Sequence, residues 1–303
     1  MMDLRKIFAP VAEEMDGVER ELKTLMRHVS EQTAAARGKN GIIERIVQHP
    51  FAVPGKRIRP AIVLLVAHAA NPGDDKSTFG GDKSTFGGDF PDAHSLISVA
   101  SSVEVLHAAS LVHDDIIDSA DSRRHQVSLN KRFGNRVAVL AGDILYTHFF
   151  SLITGLTQIS PERRFTLLDM FLDTTKAMCT GEILAQEAAS AARPLSFEQY
   201  LEIASDKTAV LFSACFRAAG LLCGAGEKQQ ECLGEIGMHF GLSFQMADDL
   251  VDKDHGLDEA VDLKAFTEQY ADKAREGIQG LPATPHRDSL RDLVDYVIGS
   301  AIP

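Results

Sequence analysis

Positive charge is in short supply in this 303-residue chain. Its 31 Lys+Arg stand against 43 Asp+Glu, giving a formal net charge of −12 and a sequence pI near 5.4. Neutralising a nucleic-acid backbone needs a surplus of Lys and Arg on some face, so the deficit excludes that class of partner. It also argues against a polybasic membrane anchor. Cysteine is scarce. The four thiols, Cys179, Cys215, Cys223 and Cys232, form no C-x-x-C pair and sit in apolar helical patterns. Reduced core thiols are therefore expected, not disulfides or a zinc site. Residues 1–9 carry Asp3, Arg5 and Lys6 with no apolar stretch, so no signal peptide is expected. No uncharged run reaches the roughly 18–20 residues of a spanning helix. Glu104, His107 and His113 interrupt one apolar stretch, and Glu235 and His239 the other. A cytoplasmic protein without a transmembrane segment is the expectation.

Alternating β-branched runs joined by Asn-Gly or Asp-Gly turns are also missing, and helical periodicity fills nearly all of the chain. Val11, Met15, Val18, Leu22, Leu25, Met26 and Val29 recur close to every third or fourth position, the mark of one buried helix face. Similar patterns predict helices over 42–48, 59–70, 92–118, 136–154, 161–189, 196–204, 207–224, 228–252, 257–280 and 287–298. The fold class is all-α. Ser196 with Gln199 reads as a capping box, and Ser160-Pro161-Glu162 as a helix start. No composition shift divides the chain, so one domain over 1–303 is expected. Asp75-Lys-Ser-Thr-Phe-Gly-Gly81 is repeated at once as residues 82–88. Neither copy has the spacing of a phosphate loop, and the repeat reads as a duplicated flexible surface loop.

The chemistry lies in two short pieces, His113-Asp-Asp-Ile-Ile-Asp118 and Gln245-Met-Ala-Asp-Asp-Leu-Val-Asp252. Each carries D-D-x-x-D at the end of an apolar helix. Residues four apart share a helix face, so Asp114 pairs with Asp118 and Asp248 with Asp252, while Asp115 and Asp249 lie to the side. Such acids repel one another, and the negative end of the helix dipole adds to the repulsion. Placing them there twice, 134 residues apart, points to divalent cations. Mg²⁺ fits best where phosphates complete its shell. The few cations are concentrated as well, in Gly55-Lys-Arg-Ile-Arg-Pro60 and in Arg123-Arg124. Arg matches phosphate oxygens bidentately and Lys as a point charge, so the set describes a pocket for two polyphosphorylated ligands.

With these residues in view, the chain resembles the trans-polyprenyl diphosphate synthases, especially long-chain members of the octaprenyl type. The strings G-K-R-I-R-P, E-V-L-H-A-A-S-L-V-H-D-D-I-I-D, R-R, G-D-I-L-Y, K-T and F-Q-M-A-D-D-L-V-D run in that family's order from about Lys56 to Asp252. The resemblance implies an isoprenoid-synthase-type helical bundle around a central cavity, Mg²⁺ as cofactor, and a homodimer. It implies Asp114 and Asp118, with Asp115 beside them, as the first metal cluster, and Asp248, supported by Asp249 and Asp252, as the second. It implies Lys56, Arg59, His107 and Arg124 as the isopentenyl diphosphate site. For the allylic diphosphate site it implies Arg123, Lys207, Thr208 and Gln245, with Lys207 and Arg123 stabilising charge on the departing diphosphate. Small residues at Ala109 and Ala108, just before the first cluster, leave the floor open to a growing tail and imply a long-chain product.

The chain departs from the family pattern at three places. Pro54-Gly55 stands where two glycines are usual, and His125 follows the arginine pair where the family has Gly. The loop after Asp252, which in the family carries a further diphosphate-binding Lys, is missing. That gap prompts an alternative, an impaired partner subunit of a heteromeric synthase. An HD-type phosphohydrolase would leave Asp248–Asp252 and Arg123-Arg124 unexplained, and a terpene cyclase would leave the Lys56, Arg59, His107 and Arg124 set unexplained.

Overall fold

The computed structural model describes residues 3–37, 41–70, 90–191, 193–252, 256–258 and 260–301. The duplicated heptapeptides at 75–88 and residues 253–255 after the second acid cluster lie outside the described residues. The fold is all-α. In chain order the helices are α1 (Leu4–Ile7), α2 (Ala12–Arg37), α3 (Ile42–Gln48), α4 (Ile58–Ala70), α5 (Ala93–Ile117), α6 (Leu129–Phe133), α7 (Asn135–Thr154), α8 (Pro161–Ser190), α9 (Phe197–Ala204), α10 (Val210–Leu222), α11 (Glu227–Asp252), α12 (Leu263–Gln279) and α13 (Pro285–Ala301). A π-helical turn, Ser205–Ala209, joins α9 to α10.

The helix starts follow their caps. The Ser196 hydroxyl accepts from the Gln199 amide while the Gln199 side chain returns to the Ser196 N–H, satisfying two orphan donors at once. Ser160 caps α8 ahead of Pro161. Asp262 caps α12, accepting from the Ala265 N–H at 3.0 Å. That helix starts later than its periodicity suggests, because Leu257 is used elsewhere. It forms a parallel bridge with Leu195, through Leu195 N–H to Gly256 O at 2.8 Å and Asp258 N–H to Leu195 O at 3.2 Å.

One hairpin was not foreseen. Strand β1 (Ser122–Arg123) pairs antiparallel with β2 (Gln126–Val127), and Ser122 sits opposite Val127. The two residues of the turn, Arg124 and His125, have φ of 51° and 61°, as a two-residue primed turn requires. Neither is a residue type that signals such a turn.

The chain forms two compact units, and neither is contiguous in sequence, so no composition shift could mark a boundary. One comprises 13–61 and 92–158, the other 1–12, 62–91 and 159–303. In the first, α5 packs on α7 and is buried nearly all round, from Leu96 through Val99, Val103 and Leu106 to Ala109. By length and composition alone α5 and α7 could each cross a membrane, both at mean hydropathy 1.5, with 78% of the α5 window buried against 33% for α7. Glu104, His107 and His113 interrupt α5, and Arg136, Asp143 and His148 interrupt α7. In the second unit, α10 contributes Phe212, Cys215, Phe216 and Leu222 to the core, each large side chain worth about 1.5–3 kcal/mol on burial. All four cysteines are free, but only Cys215 and Cys223 are buried. Burial pushes the Cys223 thiol up to about 12. Cys179 lies exposed on the outward face of α8, contrary to the core position expected from its apolar neighbours.

Candidate functional site

In the first unit the cations are held by a buried frame. Arg57, between Lys56 and Arg59, adopts a left-handed φ of 54°, which costs a non-glycine residue about 1–2 kcal/mol. Its guanidinium offsets that cost. Nε donates to Glu19 Oε1 at 2.6 Å and Nη1 to Glu104 Oε1 at 2.7 Å, and both Arg57 and Glu104 are buried. Breaking such a buried pair is strongly destabilising, so the backbone between Lys56 and Arg59 is fixed.

Arg59 Nη1 lies 3.1 Å from His107 Nε2. Arg can only donate, so the imidazole accepts at Nε2 and carries its proton on Nδ1. Burial first, and then the Arg59 and Arg124 charges, hold His107 well below the ordinary histidine pKa. Arg124 rests on the backbone of Gly55, where a β-carbon would fall 2.7 Å from Nη1. A side chain at position 55 would displace the guanidinium. A small cavity of about 50 Å³ is lined by His107, Ala108, Asp115, Arg123 and Arg124 among others. Ala109 is fully buried on α5.

The two acid clusters share one internal division. In the first, Asp115 is buried and accepts from Arg123 Nε at 2.6 Å. Burial raises its pKa and the Arg123 bond opposes the rise. Asp114 is partly buried and Asp118 is exposed. His113, at the head of this cluster, lies 3.2 Å from the Val139 carbonyl through Nε2. Its ring occupies the space that a β-carbon on Gly142 would fill, which accounts for the glycine of the G-D-I-L-Y string.

In the second unit Asp248 and Asp252 are exposed, while Asp249 is engaged at both oxygens. Gln245 Nε2 donates to Oδ1 at 2.9 Å and the Tyr200 hydroxyl to Oδ2. Burial and the Asp249 charge raise the Tyr200 pKa far above the ordinary value, so the hydroxyl remains a donor. The Tyr200 ring belongs to a buried cluster with Ala204, Leu242, Met246 and Leu257. Thr208 donates to Gln245 Oε1 at 2.7 Å, completing a line from Thr208 through Gln245 to Asp249. Lys207 and Thr208 lie on the π-helical turn, a distortion that recurs at functional positions. Lys207 Nζ pairs with Glu182 Oε2 at 2.6 Å, and Glu182 Oε1 accepts from Gln186 at 3.0 Å. A cavity of about 570 Å³ is lined by Lys207, Thr208, Gln245, Asp249 and Tyr200 among others.

Among the described residues, no three His, Cys, Asp or Glu side chains gather into a group that could hold a metal by themselves. The outward acids are instead two i, i+4 carboxylate pairs, Asp114 with Asp118 and Asp248 with Asp252. One or two carboxylates, completed by phosphate oxygens and water, are the donor set a hard cation such as Mg²⁺ uses, so these residues fit that ion. Sequence reasoning missed Glu182, Tyr200 and Glu19, which stand in no motif, and gave no role to Glu104, which opens the E-V-L-H string. Glu182 acts on Lys207 and Tyr200 on Asp249, while Glu19 and Glu104 act through Arg57.

The sequence profile described as polyprenyl synthetase matches residues 40–263. The octaprenyl diphosphate synthase of Haemophilus influenzae is 32% identical over 229 residues, 75% of this chain and 60% of that enzyme. The chain thus spans less than two thirds of that relative's length. The geranylgeranyl pyrophosphate synthetase of Pyrococcus horikoshii superposes with a TM-score of 0.78 at 22% identity, covering 97% of this chain and 98% of that one. A polyprenyl synthase of Caulobacter crescentus, complexed with calcium and isoprenyl diphosphate, gives a TM-score of 0.75 at 24% identity over 98% and 97% of the two chains. At these identities the structural likenesses establish the fold.

Proposed function

The chain belongs to the polyprenyl synthetase family, and on that premise we propose that it is a Mg²⁺-dependent trans-prenyltransferase. It condenses isopentenyl diphosphate with an allylic diphosphate to give a long-chain polyprenyl diphosphate. The observation that carries the reading is the anion-binding set of the first unit, in which Arg59 faces a neutral His107 and Arg124 is laid on Gly55. Lys56, Arg59 and Arg124 bind the diphosphate of the isopentenyl substrate. His107 offers its Nδ1 proton to a phosphate oxygen without adding charge.

Lys207, Thr208, Gln245 and Arg123 receive the allylic diphosphate. The Thr208–Gln245–Asp249 line, closed by Tyr200, holds the end of α11 in place, and Arg123 does the same for Asp115 at the end of α5. Asp114, Asp118, Asp248 and Asp252 would hold Mg²⁺, which when bound would neutralise the diphosphate oxygens and make diphosphate a better leaving group. The calcium and isoprenyl diphosphate of the Caulobacter structure support that choice of ligand and cation class. When the allylic C–O bond breaks, its electron pair leaves on the diphosphate, and Lys207 and Arg123 stabilise the growing charge. The isopentenyl double bond attacks the allylic carbon, and the released diphosphate takes the proton whose loss forms the trans double bond. No side-chain nucleophile is needed.

Ala108 and Ala109 support a long product. The same reading takes the enzyme as a cytoplasmic homodimer, and the exposed Val139 and Leu140 of α7 give a second copy an apolar flank. The test is a radiolabelled elongation assay with farnesyl diphosphate, isopentenyl diphosphate and Mg²⁺, with products sized by chromatography. Long polyprenyl products are expected. Asp114→Ala is expected to abolish turnover with an unchanged helical CD signal, and a fully active variant would refute the metal assignment.

A further inference from the structure

The 570 Å³ cavity of the second unit is lined by one cation that the motifs do not account for, Arg193. It lies between α8 and α9, ahead of Leu195, and is exposed. The other residues in that wall have their charges placed. Lys207 is paired with Glu182 at 2.6 Å, and Asp249 is satisfied by two neutral donors, Tyr200 and Gln245. Arg193 is different: among the described residues no hydrogen bond or ion pair to it is found. Its segment is nonetheless held. Leu195 is bonded on both sides to the stretch after α11, through Gly256 O at 2.8 Å and the Asp258 N–H at 3.2 Å, and Leu195 and Leu257 both line the same cavity. A guanidinium on an anchored segment, unneutralised in a chain of net charge −12, suits a bidentate phosphate contact.

We infer that Arg193 is a further binding residue for the diphosphate group of the allylic substrate, acting with Lys207 from the opposite sequence side of α9. The inference rests on the proposed prenyltransferase reading, and pyrophosphate binding tests it separately from turnover. Inorganic pyrophosphate and Mg²⁺ are titrated calorimetrically into the full chain saturated with isopentenyl diphosphate, using wild type, Arg193→Ala and Arg193→Lys. Loss of one charge-assisted contact is expected to weaken pyrophosphate about tenfold and to raise the allylic KM by a similar factor. The KM for isopentenyl diphosphate should stay within about twofold, as expected for a site that does not include Arg193. Arg193→Lys is expected to recover part of the loss. Unchanged pyrophosphate affinity in Arg193→Ala, or an equal rise in both KM values, would overturn the assignment. A wild-type chain that binds pyrophosphate through Arg193 but never elongates would refute the prenyltransferase reading while leaving this anion contact standing.

Discussion

Arg59 Nη1 and His107 Nε2 lie 3.1 Å apart, so a cation that can only donate faces an imidazole that must accept. Burial, then the neighbouring Arg59 and Arg124 charges, hold His107 well below the ordinary histidine pKa of about 6.5. The unfolded chain therefore takes up this proton at a higher pH than the folded chain. The stability gained from neutral His107 is fully present above about pH 6.5 and is lost as the pH falls below it. Urea unfolding at about pH 7.5 and 5.5 measures the loss. His107→Gln, which keeps an acceptor but cannot titrate, should flatten this component of the profile, and a variant with the same pH dependence as wild type would contradict it.

Gly55 and Arg124 form the second testable contact. A β-carbon at position 55 would lie 2.7 Å from Nη1 and 2.8 Å from Nη2 of Arg124. The obstructing atoms are the end of a flexible side chain, so the chain should fold with Gly55→Ala and only the guanidinium should move. The KM for isopentenyl diphosphate is expected to rise about tenfold, the worth of one charge-assisted bond, with little change in melting temperature. A large loss of stability with unchanged KM would show that Gly55 serves the backbone alone.

The turn at Arg124 and His125 carries strain that can be removed. His125 has φ of 61° and is exposed, a conformation that costs a side-chain-bearing residue about 1–2 kcal/mol and a glycine almost nothing. Glycine loses more entropy on folding, so His125→Gly should stabilise the chain by a net of about 0.5–1 kcal/mol. Thermal and denaturant unfolding would measure it, and a destabilised variant would mean that the imidazole makes a contact worth more than the strain.

Why some features could be read from the sequence and others could not follows from these same residues. Helices such as α5 and α11 announce themselves by periodicity, and the Ser196 and Ser160 caps by local chemistry. The outward acids follow from i, i+4 spacing. The β1–β2 hairpin does not, because Arg-His carries no turn signal and owes its left-handed backbone to surrounding structure. Nor could spacing reveal that Asp115 and Asp249 are turned inward, since their partners Arg123 and Tyr200 stand 8 and 49 residues away. The late start of α12 has the same origin. Leu257 fits the helical pattern, but the backbone on either side of it, the Gly256 carbonyl and the Asp258 N–H, is bonded to Leu195.

Ala109 tests product length. It is fully buried on α5, five residues before Asp114. Ala109→Phe introduces a ring that the packed surroundings do not accommodate, at a cost of about 1–3 kcal/mol in stability. Part of the ring is expected to enter the path of the growing tail and shorten the product seen by chromatography. An unchanged product distribution in a folded variant would reject the floor argument.

Glu182 gives the last prediction, which concerns how Lys207 is released to its ligand. The Lys207 ammonium sits 2.6 Å from Glu182 Oε2, with side-chain exposures of 35% for Lys207 and 11% for Glu182. The carboxylate keeps Lys207 in place, yet it also opposes any diphosphate that Lys207 would bind, because like charges in a partly dry wall repel at an effective dielectric well below that of water. Glu182→Gln keeps the shape and a hydrogen-bonding carbonyl but removes the charge. Pyrophosphate should then bind more tightly, by roughly fivefold or about 1 kcal/mol. If release of pyrophosphate limits the cycle, kcat should fall by a similar factor, because the departing anion leaves a cation that has no internal counterion to return to. Calorimetry with pyrophosphate and steady-state kinetics read the two effects independently. Weaker pyrophosphate binding in Glu182→Gln would reverse the interpretation: the carboxylate would then be needed to hold Lys207 in its binding pose, and its repulsion of the ligand would be the smaller effect.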